Sequence, residues 1–193
     1  MLNKVEVFNL ALQYASHGQR VASESENSTE AKALNAIYRA TIKMILREHT
    51  WSFARKRDTL QLTNDAAPLS DWSYEYKFPK DCITFLGISK DSQSNPRVEY
   101  EKARNKGGEV VILANQNPAY AVYIADVDEG MDMGFYDCLA WRLAYLICPI
   151  VGAGKDRQKL CEEQYINAIN KARAADNYEA GHHNPTDPDY LNI

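Results

Sequence analysis

Twice along this chain the hydrophobic period changes. Apolar side chains recur every three or four positions up to His49, alternation takes over across His49 to Arg57 (His-Thr-Trp-Ser-Phe-Ala-Arg-Lys-Arg), and the helical period returns at Asp132. Period 3.6, then 2, then 3.6 folds as helices near both ends with strands between them. The predicted class is α+β: a four-helix bundle built from 1–50 and 131–180, with a small antiparallel β domain, 51–130, inserted between the second and third helices, and an extended tail over 181–193.

Within the first half, Val5, Phe8, Leu12 and Ala15 form a stripe over Asn3 to Ser16 that Val7, Ala11 and Tyr14 widen, with Gly18 expected to take the left-handed cap. Asn27 or Ser28 caps the second helix, which buries Leu34, Ile37, Tyr38, Thr41, Met44 and Ile45 and runs to about His49. Thr50 and Trp51 favour strand. Trp51 is expected to fill the corner between the helical and sheet layers, with Phe53 on the same side of a strand, so the pair is read as a structural joint.

Alternation is clearest where Trp72, Tyr74, Tyr76 and Phe78 face one way and Ser73, Glu75 and Lys77 the other. Pro79-Lys80-Asp81 turns the chain into a strand over Cys82 to Ser89, and Asn105-Lys106-Gly107-Gly108 is a hairpin turn between Val98–Ala103 and Glu109–Ala114. A further strand covers Tyr120 to Asp126, and short connections of this kind make the strands mainly antiparallel. Phe135, Cys138, Leu139, Arg142, Leu143, Leu146 and Ile147 mark the third helix, expected to be the most buried. The last helix, from Lys155 to Glu179, presents Leu160, Cys161, Tyr165, Ala168, Ile169 and Ala172. Pro185 and Pro188 keep the tail extended.

Composition narrows the function. With 45% hydrophobic and 25% charged residues the chain reads as a globular protein, with neither an apolar membrane span nor a secretory leader expected. Twenty-two basic against 26 acidic residues leave a net charge of −4, which argues against a sequence-independent DNA clamp. Cys82, Cys138, Cys148 and Cys161 lie too far apart for a Cys-x-x-Cys metal or redox motif and read as reduced core residues.

Candidate chemistry is thin. Gly107-Gly108 belongs to a hairpin, and Gly152-x-Gly154-Lys155 lacks the strand and spacing of a phosphate loop. His182-His183 reads as a solvated pair, while His17 and His49, near helix ends, complement a dipole or face water. Asp126, Asp128, Glu129 and Asp132 precede a helix, where acids favour the positive dipole end more readily than they form a calcium loop. Arg55 and Arg57 share one face of a strand, either as a solvated edge or as a contact for a neighbouring subunit or DNA. No catalytic, cofactor-binding or metal-ligating set is assigned.

Several segments together resemble the podophage tail tubular protein A and head-to-tail adaptor, or connector, family. They are Val7-Phe8-Asn9-Leu10-Ala11-Leu12, Ala33-Leu34-Asn35-Ala36-Ile37-Tyr38, the corner Trp51-Ser52-Phe53-Ala54-Arg55-Lys56-Arg57, the stretch Tyr74 to Cys82, and Phe135 to Ala144. The likeness spans nearly the whole chain and rests on packing motifs in order. It implies a non-enzymatic ring of about twelve subunits between portal and tail nozzle, with genomic DNA passing through its lumen and no cofactor. The expected partners are further copies of the chain, the portal protein and the nozzle protein, and the expected location is the virion after synthesis in the host cytoplasm. Terminal extensions of such adaptors grip the portal, which would place that contact at Tyr190, Leu191 and Ile193. Alternatives from other classes are a tail-associated hydrolase and a cytoplasmic regulatory binding module.

Overall fold

The computed structural model describes residues 2–63, 71–92, 96 and 98–180. The tail with Tyr190, Leu191 and Ile193, the pair His182-His183, and residues 64–70 of the turn-rich stretch lie outside the described residues. The fold is mixed α+β, with four α-helices and two small antiparallel sheets. It divides into a helical unit, Met1–Phe53 with Asp128–Ile193, and a β unit, Ala54–Val127. No helix among the described residues is long and apolar enough to cross a membrane.

In the helical unit α1 spans Lys4–Tyr14, α2 Thr29–Arg47, α3 Met133–Ile147 and α4 Lys155–Glu179. Asn3 opens α1 with a capping box, its Oδ1 accepting the Glu6 amide at 2.9 Å while the Glu6 carboxylate accepts the Asn3 amide at 2.7 Å. The helix does not close on Gly18 as expected. Ser16 takes the left-handed turn (φ 59°), and the His17 amide reaches back to the Leu12 carbonyl, so the chain leaves the helix two residues early with its carbonyls satisfied. Ser28, not Asn27, caps α2 by accepting the Ala31 amide at 3.2 Å.

The buried face of α2 is rotated from the expected one: Ile42 and Leu46 are fully buried, whereas Met44 is 46% exposed. Similarly, Leu160 of α4 faces outward while Asp176, one turn beyond Ala172, is buried. α3 packs against α1, α2 and α4, and Phe135, Cys138, Leu139, Leu143 and Ile147 are fully buried. Asp132 caps it, accepting the Phe135 amide at 2.6 Å. Rings tie the helices laterally: Tyr14 stacks on Trp141 at 3.7 Å and Phe8 meets Tyr38 edge-on at 5.4 Å.

The strands are β1 Arg55–Thr59, β2 Tyr74–Lys77, β3 Cys82–Ser89, β4 Tyr100–Arg104, β5 Val110–Ala114 and β6 Tyr120–Ala125. Strand structure begins only at Arg55, because Ser52–Ala54 forms a 3-10 turn; Phe53 is therefore not a strand residue alternating with Trp51. The sheets run β1-β6-β3 and β2-β5-β4, all pairs antiparallel. Both margins are linked. Past β1 the chain crosses from one sheet to the other, Leu60 still donating to Ala119 while Leu62 bridges to Tyr76 of β2. At the opposite margin Val98, just before β4, bridges to Ile88 of β3. The sheets thus close on one another around a core of Leu60, Tyr76, Ile88, Ile112, Ala121 and Tyr123.

Tight contacts permit that closure. Gly87 lies at φ 144° beside a register shift in β3, and a Cβ there would sit 2.7 Å from the Pro96 side chain. In the β4–β5 hairpin the Asn105 side chain accepts the amides of Gly107 and Glu109, both at 3.0 Å.

Candidate functional site

Two groups of side chains, one in each unit, concentrate the polar contacts, and Trp51 and Phe53 lie beside the first of them. In the helical unit the corner after α2 is tied down by its own aromatics. Trp51 is fully buried, its indole N–H donates to the Ile45 carbonyl at 3.0 Å, and its ring meets Phe135 edge-on at 5.3 Å. Phe53 completes the cluster, 5.2 Å from Phe135 and 5.8 Å from Trp51. An indole is tolerated at this depth because its one polar hydrogen has a carbonyl to meet.

Beside this cluster lies a polar node. The Asp176 carboxylate, 5% exposed, accepts the Ser52 amide at 2.9 Å, the Ser52 hydroxyl at 2.5 Å and His49 Nε2 at 3.0 Å. Serine, histidine and aspartate are the residue types of a hydrolytic triad, but the order is wrong. A triad needs the imidazole between hydroxyl and carboxylate to take the serine proton; here the carboxylate sits between the other two and holds both. The node's chemistry is anchoring: it fixes the 49–52 corner onto α4.

Glu48 adds a second tie, accepting the Tyr165 hydroxyl at 2.7 Å and Arg173 Nη2 at 3.0 Å. Burial, then that carboxylate, raises the Tyr165 phenol well above its ordinary value. The expectation that His17 and His49 merely complement dipoles or face water is thereby corrected: His17 lies 3.1 Å from Glu30, and His49 faces Asp176. Asp176 was legible in principle, since it continues the buried stripe of Tyr165, Ala168 and Ala172, spaced three and then four residues apart. A carboxylate on such a stripe demands donors.

In the β unit, Asp81 is the hub. It accepts Lys56 Nζ and the Tyr123 hydroxyl, each at 2.9 Å, and Lys56 also lies 3.6 Å from Asp58. The hydrogen bond to Asp81 raises the Lys56 ammonium; burial, then that carboxylate, pushes the Tyr123 phenol up to about 12. For Asp81 itself burial acts upward, but the bonds from Lys56 and Tyr123 outweigh it and its carboxyl is held below the ordinary value. Nothing in the local sequence announces this hub, because Asp81 and Tyr123 are 42 positions apart.

Arg55 and Arg57 occupy alternate positions of β1, opposite Ile124 and Val122 of β6. Arg57 Nη1 donates to the Ser92 carbonyl at 3.1 Å, whereas Arg55 keeps a buried Nε without an acceptor. Burial, then the neighbouring Arg57, lowers the Arg55 guanidinium from its ordinary value. The acidic run before α3 is divided among separate tasks: Asp132 caps the helix and Asp128 pairs with Arg39. Among the described residues no group of three or more His, Cys, Asp or Glu side chains converges as a metal site. No protein-family model matches the chain, and no curated protein matches it in sequence.

Proposed function

We propose that this chain is a structural head-to-tail adaptor or tail tube protein of a short-tailed phage. It would form a homo-oligomeric ring of about twelve subunits between portal and nozzle, through which DNA passes without specific binding. In this reading the four helices form a bundle that carries the ring, and the β unit is inserted in the chain between the second and third helices. Arg55 and Arg57 contact a neighbouring subunit or the passing DNA, and Tyr190, Leu191 and Ile193 contact the portal.

The observation that carries the reading is the meeting of Trp51, Phe53 and Phe135 in one aromatic cluster. These residues belong to two of the segments that resemble the adaptor family, and they are employed in packing rather than chemistry. The experiment is truncation. Deleting residues 182–193 should leave the melting temperature of the isolated protein nearly unchanged while abolishing co-sedimentation with portal rings. Undiminished co-sedimentation of the truncated protein would remove the tail from the portal contact.

A further inference from the structure

Among the described residues no strand pairs with the edge of β1 that faces away from β6, and the cause can be traced residue by residue. Leu60 donates to Ala119 at 2.8 Å, and the register pairs Thr59 with Tyr120 and Arg57 with Val122. In an antiparallel ladder bonded and non-bonded pairs alternate, so the peptide groups of Lys56, Asp58 and Leu60 turn toward β6 and those of Arg55, Arg57 and Thr59 turn away. Farther along, the Lys77 amide donates to Gln61 and the Thr63 amide to Glu75, which places 61–63 beside β2. Continuing that register sets Pro79 opposite Thr59. Proline has no N–H to give, and its carbonyl accepts the Cys82 amide at 3.3 Å instead, so the ladder stops and the strands part.

A cleft of about 350 Å³ opens where they part, lined by Asp58 to Gln61 on one side and Lys77 to Asp81 on the other, with Ala121 and Tyr123 also contributing. Its charge is uneven. Lys56 and Tyr123 already occupy Asp81, and Asp58 has Lys56 at 3.6 Å. Among the described residues Lys77 and Lys80 of the cleft have no carboxylate partner; nor do Arg55 and Arg57, which alternate with Lys56 and Asp58 and therefore flank the β1 edge from the opposite face, outside the cleft lining, with Arg55 Nε buried without an acceptor.

An occupant must therefore supply both donors and acceptors to the exposed peptide edge, and negative charge to its flanks. A phosphate backbone offers acceptors alone. We propose that the open edge of β1 beside this cleft takes up an extended acidic segment of a partner polypeptide as an added strand. The interaction requires only a folded monomer, so it stands or falls separately from ring formation.

The test is NMR titration of the ¹⁵N-labelled full chain with the blocked peptide Glu-Val-Glu-Val-Glu, whose acids share one face of a strand. Saturable amide shifts at Arg55, Arg57 and Thr59, with slowed hydrogen exchange at Thr59, are expected. Arg57→Glu should weaken the peptide about tenfold, a change of about 1.4 kcal/mol. Thr59→Pro should abolish binding while leaving the fold intact, since the amide it removes makes no ladder bond. Should that variant fail to fold, Arg57→Glu and the exchange at Thr59 decide. Equal binding of Lys-Val-Lys-Val-Lys, unaltered exchange at Thr59, or a stronger response to a single-stranded oligonucleotide would overturn the proposal.

Discussion

Asp176 shows how much one buried carboxylate can organise. Replacing it with alanine leaves the Ser52 amide, the Ser52 hydroxyl and the His49 ring without their acceptor, and should cost roughly 3 to 5 kcal/mol. Ser52→Ala removes one donor and leaves the others satisfied, so about 1 kcal/mol is expected. Urea midpoints that rank the two variants equally would contradict the hub. Trp51→Ala, which empties a fully buried indole site, should cost about 3 to 5 kcal/mol, and an unchanged midpoint would contradict that packing role. Cys138 provides a test in pH: burial lifts its thiol from 9.0 to about 12, so the folded chain keeps a proton that the unfolded chain gives up. Its stability contribution is whole below 9.0 and declines as pH rises toward 12, by about 1.4 kcal/mol per pH unit. Cys138→Ala should flatten the loss of stability between pH 9 and 10.5, and an identical slope would contradict it.

Helices α1 to α4 were readable because each carries an uninterrupted apolar stripe, but a stripe fixes the buried face only to within a modest rotation. Met44 and Ile42 are both apolar and two positions apart, and which of them is buried is set by tertiary packing rather than by the stripe itself. Ser16 is the converse case: Gly18 has the better intrinsic left-handed preference, yet the Leu12 and Gln13 carbonyls receive their bonds when the turn comes at Ser16. For the strands, alternation marked the segments and the Asn105 hairpin, but not that β6 lies between β1 and β3, since long-range pairing leaves no local mark. Asp81 escaped for the same reason, whereas Asp176 is marked locally only by its place on the buried stripe of α4. Gly87 reports on sheet closure directly. Gly87→Ala combines a left-handed φ with a 2.7 Å approach to Pro96 and should cost at least about 1 to 3 kcal/mol; a neutral urea midpoint would show that the β3 margin yields freely.

For the molecule as a whole, a net charge of −4 bears on its relation to DNA. Without a surplus of Lys and Arg, retention of duplex DNA at physiological salt should be negligible, as suits a conduit, whereas strong salt-sensitive retention would favour a nucleic-acid-binding module. Assembly into a ring is tested by negative-stain microscopy of the purified chain mixed with portal rings, paired with mass measurement of the product. The adaptor reading predicts a closed ring of this chain, about twelve copies, stacked coaxially on the portal. A product holding only free monomer and bare portal would contradict it.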